Sequence, residues 1–463
     1  MSDRAHAAPP PLDLATPKQV HVVAIGGAAM SAIATILAAL GHRVSGSDLQ
    51  ASTTVERLRS AGLAVEVGHA REHVPAGADA LVVSSAVAEG NPEVVEARRR
   101  GIPVYSRLDL MRAICSTKRT IGVAGTHGKT TTTSMLAVVL TEAGLRPSYL
   151  VGGLTKLGSG VAWTDSDLFV VEADESDGTF LALHADAVIV TSVEADHLDR
   201  WGDLAAIEAA FASFVDLAPG PRVVCLDDAG AARLAAGRQC TTYGCHPDAD
   251  YRILDLETER SRARFRVATP DGRRLHLELP VPGAHNARNA TAALALAERL
   301  GVDPEVAVGA LARYGGVARR FEFRGERDGI TYVDDYAHNP GKVAAALAAA
   351  KGGGWERIVA VFQPHLYSRT ADLAEEFGRS FGDADLVVVT DVYGARETPR
   401  PGVTGSLIVD AIHAADPGRE VVWVPHRSEL GARLRALLRP GDLCITLGAG
   451  DVNAIHDELL SDG

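Results

Sequence analysis

Short apolar runs recur along the chain, each followed by a turn and then an amphipathic stretch. They are Val22–Ile25, Ala80–Val83, Ile121–Ala124, Leu168–Val171, Ala187–Val190, Ile358–Phe362, Leu386–Val389 and Leu443–Leu447. Brief apolar runs alternating with helical patterns predict parallel strands joined by crossover helices. The segment Arg252–Val281 breaks this rhythm. Alternation in Ala263–Thr269 and Arg273–Leu279, around Asp271-Gly272, predicts a β-hairpin. Val22–Gly41 carries no charge and is long enough to raise a membrane span. Gly26-Gly27 after a β-rich run, with Ser31 and Thr35 inside a helical pattern, reads instead as strand, turn and helix.

At roughly 150 residues per domain, a chain of 463 residues suits three. Residues 1–18, rich in Pro and Ala without an apolar core, read as a flexible leader. The first block, 19–114, ends after a helix near Leu108–Ala113. The second, 115–318, ends near Tyr314-Gly315-Gly316. The third, 319–463, is again α/β. The fold expected is α/β in three domains: a Rossmann-like N-terminal domain, a central P-loop-type ATPase domain with a parallel sheet, and a smaller C-terminal domain.

Composition narrows the function. The hydrophobic and charged shares, 46% and 23%, are ordinary for a soluble protein. The net charge of −13 argues against a nucleic-acid-coating surface and leaves room only for a local basic pocket. Five cysteines without a CxxC pair point to a reduced, intracellular chain, and a cytoplasmic protein is expected. Cys240, Cys245 and His246 lack the second pair that a zinc knuckle needs.

The strongest chemical signal is Gly125-Thr126-His127-Gly128-Lys129-Thr130, set between an apolar run and the helical stretch Thr131–Ala143. Glycines let the backbone approach phosphates, and the helix N-terminus adds partial positive charge. Lys129 can reach the β- and γ-phosphates, and Thr130 can offer its hydroxyl to Mg²⁺. The strict loop motif has Gly where Val123 stands, so the match is to a shortened form.

Two further runs repeat a strand-then-acid pattern. Glu172-Ala173-Asp174-Glu175-Ser176-Asp177 follows one strand, and Glu172 can hold Mg²⁺. Asp196-His197-Leu198-Asp199 follows another, and His197 can ligate a second metal or meet the γ-phosphate. Asn286, opening an Ala-rich helix, is either a base-edge contact or a helix N-cap. Gly26-Gly27-Ala28-Ala29-Met30 and Ser45-Gly46-Ser47-Asp48 resemble a dinucleotide-binding arrangement without its G-x-G-x-x-G. That weakens a nicotinamide dehydrogenase reading and leaves another diphosphate possible. Arg319-Arg320, Asp334-Asp335-Tyr336-Ala337-His338-Asn339-Pro340 and Gln363-Pro364-His365-Leu366-Tyr367-Ser368-Arg369-Thr370 gather polar groups at strand ends, where guanidinium groups suit phosphate or carboxylate.

In this order, the segments Gly26–Ala34, Ser45–Asp48, Gly125–Thr132, Glu172–Asp177, Asp196–Asp199, His285–Ala290, Arg319–Phe321, Asp334–Pro340 and Gln363–Thr370 resemble the Mur ligase family of peptidoglycan synthesis. The resemblance implies ATP-dependent ligation of L-alanine to the lactyl carboxylate of UDP-N-acetylmuramate, through an acyl phosphate, with Mg²⁺, in a monomer or homodimer. By position it assigns Gly26, Gly27, Ala28, Met30, Ser47 and Asp48 to the UDP-sugar. It assigns Gly125–Thr131 and Asn286 to ATP, with Lys129 on the phosphates. Thr130, Glu172 and His197 would hold the metal ions. Arg320 and Asp335 would help hold ATP from the third domain, and Tyr336, His338, His365 and Arg369 would form the amino-acid end. The family commonly has Gly at Ala29 and Ala32, and often a second His at Asn339 and Arg or another residue at Leu366. Its later-acting members carry a modified Lys about fifteen residues past the Asp-His, and 203–222 contains none. The rival readings are a sibling ligase that attaches a recycled tripeptide, and a P-loop NTPase switch that forms no bond.

Overall fold

The computed structural model describes residues 9–461 apart from 85, 154–159, 177 and 396, and apart from the side chain of Asp199. Asp177 of the first acidic run, and the first eight residues of the leader, lie outside the described residues. Contacts divide the chain into two compact units. One is Met1–Leu254 with Val267–Leu275 and Arg288–Leu311; the other is Asp255–Arg266 with His276–Ala287 and Ala312–Gly463.

The first unit opens with five parallel strands in the order Ala64–Val67, Arg43–Asp48, Gln19–Val23, Ala80–Val83, Val104–Ser106. The first strand is central, so the chain winds outward in both directions, as in Rossmann-type sheets. The uncharged stretch resolves into the strand Gln19–Val23, a glycine turn and the helix Ala28–Ala39, which buries Ile33, Ala34, Ile36 and Leu37. Among the described residues no helix is long and apolar enough to cross a membrane. The described end of the leader corrects the expectation of flexibility, because Leu12 and Leu14 are buried. Each such burial contributes roughly 1.5–3 kcal/mol, enough to pin a short segment.

The second sheet of this unit brings the longer runs together. Leu168–Glu172, Arg119–Ala124, Ala187–Val190, Arg222–Cys225 and Thr241–Gly244 lie side by side and parallel. All of their C-terminal ends therefore emerge at one edge. The strands Ala263–Ala268 and Arg274–Leu279 are neighbours with alternating burial, as the hairpin pattern predicts.

In the second unit, Ile330–Asp335, Asp442–Leu447, Arg357–Phe362, Leu386–Thr390 and Glu420–Val424 form a parallel sheet, with Glu322–Arg327 antiparallel at one edge. Successive strand residues face opposite covers. Val333, Ala360, Val387 and Ile445 pack with Leu347, Phe377 and Ile412, while Tyr332, Val361, Val388 and Cys444 pack with Leu430, Leu434 and Ile455.

One polar group organises the first sheet. The helix Pro92–Arg99 starts on an Asn91 cap, with Pro92 at its first position, and presents Glu93 inward. Glu93 is fully buried and accepts from Ser47 Oγ at 2.7 Å, His21 Nε2 at 3.1 Å, and His69 Nδ1 and the Ala70 amide at 3.2 Å. Burial by itself raises a carboxyl pKa, but the hydrogen bonds from His21 and Ser47 outweigh it and hold Glu93 near 2. A depressed carboxylate contributes fully above its unfolded value of 4.5 and loses that contribution as pH falls toward about 2. Glu93→Ala is expected to cost about 3–5 kcal/mol, because it strands buried polar partners. Urea unfolding at neutral pH measures this, and a loss below about 1 kcal/mol would exclude the organising role.

Candidate active site

The strand Arg119–Ala124 ends at the phosphate-loop candidate, and the helix Lys129–Glu142 begins directly after it. Two glycines make this junction. Gly125 has φ +138°, and a Cβ there would lie 2.0 Å from Thr191 Oγ1. Gly128 has φ +80°, caps the helix in the left-handed region, and would clash with Asn289 Oδ1.

The loop is fastened to the end of the neighbouring strand. Thr126 N–H donates to Ser192 O at 3.0 Å and His127 N–H to Ser192 Oγ at 3.0 Å. Thr191 Oγ1 donates to His127 O at 2.5 Å, and the Glu194 amide donates to Thr126 Oγ1 at 2.9 Å. The amides of Thr126 and His127 thus shape the loop. The helix begins at Lys129, and the partial positive charge of its N-terminal end suits an anion.

Lys129 Nζ donates to Gly125 O at 2.6 Å and to both Glu175 oxygens at 2.8 and 2.9 Å. Glu172 ends its strand beside the loop, with Val123 and Glu172 paired in register. Its Oε1 accepts from the Gly152 amide at 2.6 Å. Thr130 is buried on the helix's first turn. His197 sits in the left-handed region, φ +55°, at the start of the short helix Leu198–Trp201, with Nε2 3.7 Å from Asp196 Oδ2. Among the described residues no three His, Cys, Asp or Glu side chains form a ready-made metal cage. A Mg²⁺ that keeps waters and binds phosphates asks for only one or two protein oxygens, so Thr130 and Glu172 are a chemically suitable set.

At the first sheet's edge, the Gly26 amide donates to Asp48 Oδ2 at 2.9 Å, joining the glycine turn to the second strand end. Ser47 is tied to Glu93 and His69. Gly27 precedes the helix, and Ala28 and Ala29 are exposed on its first turn. Met30 departs from expectation: its side chain is buried in the core, so only its backbone can meet a ligand.

In the second unit, the third-domain residues converge. Tyr336 meets His338 edge-on at 5.0 Å, His338 meets His365 at 6.0 Å, and Arg369 Nη1 lies 3.1 Å from His365 Nδ1. The guanidinium groups of Arg319 and Arg320 stand 5.0 and 5.7 Å from the Tyr336 ring. Arg319 is held by Asp334 Oδ2 at 3.1 Å and Gly448 O at 2.6 Å. Asp335 accepts from the Phe321 and Ala337 amides at 2.8 Å each, and burial raises its pKa to about 6. Burial lowers His338 to about 3, so at neutral pH its ring is uncharged. A proton on Nδ1 can be donated to Tyr336 O at 2.8 Å, which leaves Nε2 as an acceptor. Burial and then Arg369 lower His365 as well.

Two open questions from the sequence resolve. Asn286 is the third residue of the helix Ala284–Arg299, so it is not its N-cap; its Nδ2 donates back to Pro282 O at 2.6 Å. Asn339, where the family often has His, caps the helix Pro340–Lys351 by accepting from the Lys342 amide at 2.9 Å. Glu175 and Asn289, quoted within longer runs but given no role from sequence, and Glu93, not singled out at all, also take defined places. Glu175 lay inside a recognised acidic run, but a run does not say which carboxylate turns inward. Asn289 follows Asn286 by three residues, a spacing that places the two on nearby parts of one helix face.

Gly125→Ala combines a left-handed backbone with a steric clash. It is expected to cost roughly 2–4 kcal/mol and to weaken ATP binding, measured by thermal unfolding and nucleotide titration. Wild-type stability in this variant would contradict the tight-loop geometry.

Three family models match the chain: the Mur ligase family catalytic domain over residues 19–119, the Mur ligase middle domain over 123–297, and the Mur ligase glutamate ligase domain over 319–450. A UDP-N-acetylmuramate–L-alanine ligase of Kineococcus radiotolerans is 48% identical over 456 residues, covering 96% of each chain. The crystal structure of UDP-N-acetylmuramate–alanine ligase from Thermotoga maritima aligns with a TM-score of 0.80 at 30% identity, over 96% of this chain and 98% of that one. A murein peptide ligase from Psychrobacter arcticus aligns at 0.70 and 25% identity, over 96% of this chain and 98% of that one.

Proposed function

The chain belongs to the Mur ligase family, and from that premise we infer how its residues divide the work. It is an ATP-dependent ligase that joins L-alanine to the lactyl carboxylate of UDP-N-acetylmuramate in peptidoglycan synthesis. We assign the three domains to residues 19–114, 115–318 and 319–463, and the reaction to the cytoplasm.

A carboxylate oxygen of the sugar nucleotide attacks the γ-phosphorus of ATP, ADP departs, and an acyl phosphate remains. The neutral amine of L-alanine then attacks the acyl carbon, the carbon–oxygen bond to phosphate breaks, and the proton lost from nitrogen leaves with inorganic phosphate as HPO₄²⁻. No protein nucleophile is required, so catalysis rests on placement and on charge complementarity. The observation that carries this assignment is the glycine-built loop with Lys129 Nζ bonded back to Gly125 O, beside the strand end that carries Glu172. Lys129 meets the β,γ-phosphates, and the helix amides from Lys129 to Thr131 receive phosphate oxygens. Gly125 to Gly128 supply the close backbone. Asn286 contacts the adenine, and Arg320 and Asp335 contribute to holding ATP.

Thr130 and Glu172 suit Mg²⁺, and His197 is offered to a second ion. Bound Mg²⁺ would neutralise charge on the phosphates. Gly26, Gly27, Ala28, the Met30 backbone, Ser47 and Asp48 hold the UDP-sugar. Tyr336, His338, His365 and Arg369 receive the amino acid. Arg369 pairs with the L-alanine carboxylate. Neutral His338 offers an acceptor to the amine and is too weak a base to store its proton at neutral pH.

Phosphate release with ATP, Mg²⁺, UDP-N-acetylmuramate and single amino acids tests the reading. Release that depends on both the sugar nucleotide and L-alanine is expected; release indifferent to both would defeat it. Release only with the tripeptide L-Ala-γ-D-Glu-diaminopimelate would assign the chain to the recycling reaction, the second reading that the Psychrobacter arcticus similarity keeps in play. Lys129→Ala is expected to abolish turnover in a folded protein, and retained activity would remove the loop assignment. Arg369→Ala should raise KM for L-alanine at least tenfold, the effect of losing about 1.4 kcal/mol, with ATP binding intact. Loss of ATP affinity alone would contradict its role.

A further inference from the structure

We propose that Glu175 is a positioning residue for Lys129, holding it over the loop in the nucleotide-free enzyme and yielding it to the terminal phosphate when ATP enters. This rests on the reading of Lys129 as the phosphate lysine. An ammonium has three donors. Here they face Gly125 O at 2.6 Å and the two Glu175 oxygens at 2.8 and 2.9 Å. The lysine is therefore already committed to an anion, in the place where the phosphate loop calls for one. Glu175 is 3% exposed and Lys129 16% exposed, so water does little to screen the pair.

The exchange is confined to side chains. The Glu175 carbonyl accepts from Trp201 Nε1 at 3.1 Å and from the Gly178 amide at 3.1 Å. Trp201 in turn meets Phe180 edge-on at 6.2 Å, and Phe180 packs on Phe211 and Phe214. The backbone is anchored in the core, so the exchange falls to the carboxylate end of the side chain. An arriving phosphate competes with Glu175 for the same ammonium, and the two anions repel each other. Nucleotide without a metal cation bears that repulsion in full; nucleotide carrying Mg²⁺ brings positive charge that offsets it. Glu175 thereby biases the site against metal-free ATP while keeping Lys129 extended in the productive direction.

Glu175→Gln keeps the size and removes the charge. Isothermal titration of ATP in EDTA is expected to show roughly tenfold tighter binding than wild type, the scale of one close charge–charge interaction. kcat with Mg²⁺ should fall, because Lys129 loses its preset orientation. Glu175→Asp, which keeps the charge, should retain the weak metal-free binding. A Glu175→Gln enzyme that binds metal-free ATP no tighter than wild type overturns the proposal. A crystal structure of the wild type with a non-hydrolysable ATP analogue gives a test free of any variant's folding. Lys129 Nζ should have left Glu175 for the terminal phosphate, and an intact Lys129–Glu175 pair would overturn the proposal. Lys129→Ala separates the two levels. If it leaves ATP binding unchanged, the phosphate-lysine reading fails. If it removes binding while Glu175→Gln binds no tighter, only the positioning role fails.

Discussion

The central sheet's parallel direction is the constraint from which the candidate phosphate site follows. Because Arg119–Ala124, Leu168–Glu172 and Ala187–Val190 run the same way, the glycine loop, the Glu172–Glu175 run and the Thr191–Glu194 segment all emerge at one edge. An antiparallel neighbour would have sent one of them to the far side. Adjacency then allows Thr191 and Ser192 to grip the loop through hydrogen bonds to Thr126 and His127. A side chain at 125 is incompatible with that grip, because its Cβ would occupy the position of the Thr191 hydroxyl. The glycine is needed for contact with the next strand as much as for approach to a phosphate.

Buried charge is handled in the same manner in each unit: an acid is enclosed, then fully partnered. Glu93 gathers Ser47, His21, His69 and the Ala70 amide. Asp334 takes Arg319 and the Thr446 hydroxyl at 2.7 Å, and Asp335 takes two backbone amides. Each such group costs desolvation and repays it through directed contacts, so its main effect is to fix one arrangement of strand ends. Those strand ends carry Ser47, Tyr336 and His338. The placement of these candidate ligand-binding groups is therefore inherited from the buried acids that fix the strand ends.

Much of the fold was legible because its signals are local. Apolar runs such as Ala80–Val83 and Ala187–Val190 coincide with strands, since a strand buried on both faces must be apolar throughout. The Asp271-Gly272 hairpin was equally plain. The loop's place between a strand and a helix was legible from the apolar run before its glycines and the helical pattern after them. Long-range partnership was not. Nothing in the run Glu172–Asp177 distinguishes Glu175, which turns back to Lys129, from Asp174, because the choice depends on where a lysine 46 residues earlier is placed. Asn286 could be a cap or a base-edge contact by pattern alone; the helix starts two residues sooner, which removes the cap. Leu12 and Leu14 looked like part of a loose tail because composition does not reveal a surface waiting to receive them.

The tethering of Thr126 and His127 also bears on the thermodynamics of ligand capture. A glycine-rich loop that was free in solution would have to be ordered by its nucleotide, and that ordering would be subtracted from affinity. Here the loop's conformational entropy has already been surrendered during folding, to Ser192 and Thr191. Nucleotide association should consequently be governed by electrostatics and dehydration, with a small entropic penalty from the polypeptide and an association rate not slowed by loop rearrangement.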